Sequence, residues 1–146
     1  MMVTTDVELL NCLRILNMLK NGEYYFSNLY MTNNYLTGVE RQTLSNLFQD
    51  QKIILFELGN DFYKFYQGLE TEKIPIALPG MSSIFFAKDS NFPLVTKCRI
   101  TKRIAEENGV VVYNYEEMFK CSNMQQSQID YINRILLMME TKENQI

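Results

Sequence analysis

Two hydrophobic spacings take turns along this chain, and their succession predicts strands and helices in alternation from one end to the other. Met2, Val3, Thr4 and Thr5 are apolar or β-branched and predict a short first strand. Over residues 7–20 the apolar positions Val7, Leu10, Leu13, Leu16 and Leu19 recur every three residues, with Ile15 widening the face. That is the spacing of an amphipathic helix, which Asn21 and Gly22 would close. Tyr24, Tyr25 and Phe26 fit a second strand. Ser27 suits the N-cap of a helix running through Leu29, Met31 and Leu36 to a stop at Gly38. A further helix over 40–49 would turn Leu44, Leu47 and Phe48 inward. Ile53, Ile54, Leu55 and Phe56 form the most hydrophobic run and predict a central strand, since a strand covered on both faces loses polar alternation. After Gly59, the residues Phe62, Phe65, Tyr66 and Leu69 share one helical face. An aromatic stripe of this kind reads as core rather than as a base-stacking platform.

Pro75 and Pro79 cannot both serve a helix interior or a central strand, so 73–80 predicts a loop and 82–88 the next helix. Residues 91–113 then form the most legible unit of the chain. Residues 92–95 predict a strand, 99–108 a helix with Ile100, Ile104 and Ala105 on one face, and 110–113 a second strand. Gly109 fits the left-handed position just past a helix end, where a Cβ is penalised. This is a βαβ unit and implies a parallel sheet. Beyond it come a helical segment around 116–119, a loop around Cys121 and a final helix over about 125–140. The face of that helix carries Tyr131, Ile132, Ile135, Leu136 and Met139, while Leu137 and Met138 fall outside it. With no repeat or low-complexity tract, a single domain over 1–146 is expected.

Composition narrows the chemistry. A chain of 146 residues, 47% apolar, suffices for one core. The net charge of −3 offers no global attraction to phosphate backbones, so nucleic-acid binding would rest on the local cluster Lys97, Arg99, Lys102 and Arg103. Cys12, Cys98 and Cys121 are odd in number and far apart, against a disulfide framework or a zinc site. Histidine is absent, which excludes Ser/His and Cys/His catalysis and leaves carboxylates as metal ligands. No apolar run is long enough to span a membrane and no secretory signal pattern opens the chain, so a cytoplasmic location is expected.

Thr96, Lys97 and Cys98, followed by the run Ile100, Ala105, Glu106, Gly109 and Val110, resemble the last βαβ of the PIN-domain family. There a strand ends in Thr-x-Asp and a helix of the form Leu-x-x-x-Ala-Glu-x-x-Gly-Val follows. The resemblance covers about 2–119, with a C-terminal helical extension over about 122–146. It implies a three-layer α/β/α fold with a mostly parallel sheet. It also implies acids at the C-terminal strand ends that hold magnesium or manganese and cut RNA. Carried over one at a time, the family's acids fall on Asp6, Asn33, Gly80 and Cys98, and only Asp6 is an acid. The resemblance therefore implies a non-catalytic, PIN-like binding module with a degenerate nuclease site and no cofactor. The alternative is a metal-dependent ribonuclease of the toxin type, using magnesium or manganese in a rearranged site around Asp6. Glu8, Asp61, Glu70 and Glu72 are the other acids on which such a site would draw, each with an ordinary surface explanation.

A structural role for Asp6 stands beside the catalytic one. Thr5 and Glu8 have the spacing of a capping box, and an acid in a first helical turn is favoured by the helix dipole. Lys97, Arg99, Lys102 and Arg103 cluster at the positive end of their helix, with Glu106 and Glu107 at its negative end, an arrangement unfavourable to the dipole. These cations are candidate anion-binding residues, or else a solvated basic turn. Cys98 among them is a candidate reactive thiol. Ile135, Leu137 and Met138 are candidate interface residues, because five consecutive apolar residues, 135–139, cannot all lie along one stripe. A protein partner or a second copy of the chain is expected there; RNA is the weaker partner expectation.

Overall fold

A computed structural model describes residues 1–19, 23–69 and 76–144, the side chains at 69 and 139–144 excepted. Five short strands pair in parallel in the order β3-β2-β1-β4-β5. They are β1 (Met2–Thr4), β2 (Tyr24–Ser27), β3 (Ile54–Phe56), β4 (Leu94–Val95) and β5 (Val112–Tyr113). The helices are α1 (Val7–Ile15), α2 (Gly38–Gln49), α3 (Asn60–Leu69), α4 (Leu78–Ser90), α5 (Arg99–Glu107), α6 (Tyr115–Cys121) and α7 (Gln126–Asn144).

Successive strand residues point to opposite faces, and that period of two builds two cores. Tyr24, Phe26, Val95 and Tyr113 join Leu9, Leu13, Leu44, Phe119 and Ile132 from α1, α2, α6 and α7. Val3, Tyr25, Phe56, Leu94 and Val112 join Phe62, Met81, Ile84 and Ala105 from α3, α4 and α5. Helices thus cover both faces, and the fold is a three-layer α/β/α sandwich. The aromatic stripe of α3 is core: Phe62 is fully buried, with its ring 5.6 Å from that of Phe85. Gly109 takes φ 79° as expected, and the Val110 N–H returns to the Ala105 carbonyl at 3.0 Å.

Several elements depart from the sequence pattern, each for a physical reason. The run 53–56 lies at an edge, because the chain passes through β1, β2 and β3 in spatial order and leaves β1 in the middle; Ile54 is 36% exposed. Helix α1 stops at Ile15, where Asn17 adopts φ 55° and the Met18 N–H reaches the Leu13 carbonyl at 2.8 Å. That hydrogen bond closes the helix before the threefold pattern ends. Leu19 is nonetheless buried, and residues 20–22, including the predicted Asn21 and Gly22 stop, lie outside the described residues.

Ser27 caps only a 3₁₀ turn over Asn28–Met31, and Gly38 opens α2 instead of ending a helix. Thr37 and Glu40 form a reciprocal capping box there. Phe48 of α2 faces outward. Helix α4 begins at Leu78, inside the predicted loop, with Pro79 in the first turn, where its missing N–H has no helical partner to lose. Residues 73–75 of that loop fall outside the described residues. On α5 Ala105 is buried and Ile104 packs against the core as expected, but Thr101 takes the inward place expected of Ile100, which is 42% exposed, and α6 runs through Cys121 rather than leaving it in a loop. Among the described residues no helix is long and apolar enough to cross a membrane.

Candidate functional site

From β1 the chain steps outward to β2 and β3, then returns to the other side of β1 to lay down β4 and β5. The direction of winding reverses between β1 and β4, and an open parallel sheet has its crevice beyond the strand ends at such a point. Threonines build both strand ends. The buried Thr4 hydroxyl donates to the Val95 carbonyl at 2.9 Å and accepts from the Asp6 N–H at 3.2 Å, turning the chain into α1. Thr96 does the same for α5, accepting from the Cys98 N–H at 3.2 Å, and its hydroxyl meets that of Thr5 at 2.8 Å.

A cleft of about 330 Å³ opens above these ends. Asp6, Gly80 and Cys98, three of the four positions singled out in the sequence, line it together, beside Tyr30, Ile76, Ile100 and Thr101. Asn33 does not line it: it is exposed, with φ 52°, in the turn after Asn28–Met31. That count assumed a helix from Ser27, and the 3₁₀ turn breaks the register.

Asp6 is engaged on both oxygens. Its Oδ1 accepts from the Thr5 hydroxyl at 2.6 Å, and its Oδ2 accepts from the Lys97 N–H at 2.9 Å and from the Tyr115 hydroxyl at 2.5 Å. The predicted capping box is not formed. Asp6 is itself the N-cap residue of α1 and makes no side-chain cap, while Glu8 Oε1 lies 3.0 Å from the same Tyr115 hydroxyl, sharing its one proton with the shorter contact to Asp6, and pairs with the Lys97 ammonium. Lys102 and Arg103 each lie 3.9 Å from an acid one turn on, Glu106 and Glu107. The charges that look unfavourable toward the dipole therefore have local partners, although exposed pairs of this order contribute little. None of Lys97, Arg99, Lys102 and Arg103 lines the cleft, and an anion at this turn would compete with acids for three of the four.

Burial sets the protonation of the group. It pushes Asp6 above the ordinary carboxyl value, with Glu8 adding to the rise, against the hydrogen bonds from Thr5, Tyr115 and the Lys97 N–H. Burial and both carboxylates keep Tyr115 protonated, and burial does the same for Tyr30. For Cys98, partial burial works upward and is outweighed by hydrogen bonds from the Thr101 hydroxyl and the Thr101 and Ile100 N–H groups, so the thiol lies below its usual value.

A folded-state pKa above the unfolded one means that the stability linked to Asp6 is fully present at acid pH and is lost as pH rises through the folded value. Asp6→Asn, whose carbonyl can still accept from Tyr115 and Lys97, is expected to match or exceed the parent at pH 7, by up to about 1 kcal/mol. The gain should vanish below about pH 4. Denaturant titrations at both pH values measure this, and a loss at neutral pH would show that the charge is needed.

Glu8 and Tyr115 were not legible as one group. They come together from positions 107 residues apart, and the one pattern on either, the capping-box spacing of Glu8 with Thr5, pointed elsewhere. The hydroxyl-rich strand ends, Thr4, Thr5 and Thr96, were the available signal.

The all-parallel sheet with its crevice between β1 and β4 is a doubly wound α/β/α domain, and its PIN-like character rests on a structural likeness. The chain is similar to the solved structure of a PilT N-terminus domain protein from the hyperthermophilic archaeon Sulfolobus solfataricus P2. The two align with a TM-score of 0.51 at 17% identity, over 86% of this chain and 97% of that one. No protein-family model matches the sequence, and no curated protein matches it either.

Proposed function

We propose that this PIN-like domain is a non-catalytic interaction module and does not cleave RNA. The observation that carries this reading is the state of Asp6, whose two oxygens are engaged by three donors of its own chain. A magnesium or manganese ion of the kind a PIN-like site uses requires several anionic oxygens free to converge on it. The cleft lining offers one carboxylate, with Gly80 lacking a donor and Cys98 bearing a soft thiol. Among the described residues no three His, Cys, Asp or Glu side chains are grouped to hold a metal. The residues present do not fit the ion.

Single-stranded RNA incubated with the protein and either magnesium or manganese is expected to remain intact. Cleavage that disappears in Asp6→Asn would overturn the reading and make the protein a metal-dependent ribonuclease.

The interaction surface we assign is the outer side of α7, and its occupant a second copy of this chain. Ile135 packs toward the core, whereas Leu137 and Met138 are 63% and 62% exposed on the side away from Ile129 and Ile132. Most soluble homo-oligomers are twofold dimers that bury one such patch against itself. Sedimentation is expected to show a dimer for the parent and a monomer for Leu137→Glu. A folded monomer in both cases would remove self-association.

A further inference from the structure

The acids behind the cleft are held by groups that belong to the chain itself, and the geometry of those groups is specific. One phenol oxygen, that of Tyr115, lies 2.5 Å from Asp6 Oδ2 and 3.0 Å from Glu8 Oε1. Two carboxylates aimed at a single point need positive charge or donors at that point, because their mutual repulsion grows as water is excluded. Lys97 serves both acids at once, its N–H donating to Asp6 and its ammonium pairing with Glu8. Lys97 also directly precedes Cys98, where a PIN-like site would carry an acid. The Glu8 side chain is only 19% exposed, so the carboxylate end of this pair is better shielded than the acids of the α5 pairs, while the Lys97 side chain is about half exposed.

We propose that Tyr115 and Lys97 are an internal substitute for a divalent cation, locking α6 and the turn before α5 onto Asp6 and Glu8. This rests on the non-nucleolytic reading above. The phenol occupies the shared point between the two carboxylates, and the ammonium supplies the positive charge. What an ion would do for a set of acids, joining separate elements through one centre, is done here by side chains from α6 and the β4 end. With such a lock in place, chelators are expected to leave the domain's fold unchanged. Neither Glu8 nor Tyr115 lines the cleft, so the lock sits on the α6 side of Asp6 and leaves the cleft open.

Removing the substitute should create demand for an ion. Tyr115→Phe takes away the hydroxyl and keeps the ring, whose centroid is 6.3 Å from that of Phe119; Lys97→Met removes the ammonium and keeps the N–H. Electron paramagnetic resonance of free manganese then measures uptake by the parent, by Tyr115→Phe and by the double variant. The parent is expected to take up none over the range titrated, and the double variant to bind roughly tenfold or more above that limit, the two released carboxylates holding an ion that keeps most of its water. Manganese should raise its melting temperature and leave that of the parent unchanged. Should the double variant fail to fold, Tyr115→Phe alone is read by the same criterion. A folded variant with no gain in uptake overturns the substitution and leaves the non-nucleolytic reading in place. Manganese uptake by the parent overturns both.

Discussion

Gly80→Asp combined with Cys98→Asp is expected to turn the cleft into a manganese site. Both positions line the same space as Asp6, so the variant would present three carboxylates where the parent presents one. Neither substitution meets a steric clash, although Gly80 is buried and a carboxylate there carries a desolvation cost. A Cβ on Gly80 would meet Ile76 Cδ1 at 3.6 Å and Thr101 Oγ1 at 3.9 Å, which is ordinary contact, and an acid in the first turn of α4 is favoured by the dipole. Cys98 is the N-cap of α5 with no side-chain cap, a position where aspartate stabilises by about 1 kcal/mol. The opposing forces are repulsion among three carboxylates and desolvation of the one at the buried position 80, and relief of both is what drives the ion in. With manganese at about a hundred times its Kd, the folded state should gain roughly 2.7 kcal/mol, a shift of several degrees in Tm. Asn33→Glu should add nothing, because Asn33 lies in an exposed turn outside the cleft. A folded double variant whose Tm ignores manganese would show that Gly80 and Cys98 do not correspond to acidic positions of a PIN-like site.

Phe119→Ala is expected to lower stability by about 3–5 kcal/mol. Phe119 is fully buried in the cluster with Leu9, Leu13 and Ile132, and it lies one turn beyond Tyr115 on α6. Helix α6 has only seven residues, too few to persist without packing, so its position depends on that ring. Loss of Phe119 should therefore also loosen the Tyr115 hydroxyl from Asp6 and Glu8. Urea unfolding gives the stability, and the fluorescence of the tyrosines gives the local change. A loss below about 1 kcal/mol would mean that α6 is held by something other than its core face.

The order of elements was legible because period-two and period-three spacing report which faces are covered. Gly109 could be read to the residue and the βαβ around it to within two residues at each end, since helix stop, turn and strand are coded by adjacent positions. Strand rank could not. The run 53–56 is richer in apolar residues than β1, yet topology, not hydrophobicity, decides which strand is central. Ile54 shows the consequence, an isoleucine at an edge strand with one side to solvent. For the site, Asp6, Gly80 and Cys98 converge because each is tied to a strand end or a helix start, which local sequence marks for Asp6 and Cys98 but not for Gly80, whose helix begins inside the predicted loop. Asn33 failed because its placement depended on a helix that Ser27 does not launch. Tyr115 escaped notice for a different reason: its two partners are fixed by tertiary packing alone, and a tyrosine following Asn114 reads as nothing more than the first residue of a capped helix.

The sheet ends in strands of three and two residues, β3 on one side and β5 on the other. An extended peptide that docked along either border could form only two or three main-chain bonds, far short of what strand addition needs for affinity. The same brevity protects the domain from zipping edge to edge into fibrils, even with Ile54 and Val111 turned outward. Strand addition along either border is thereby disfavoured.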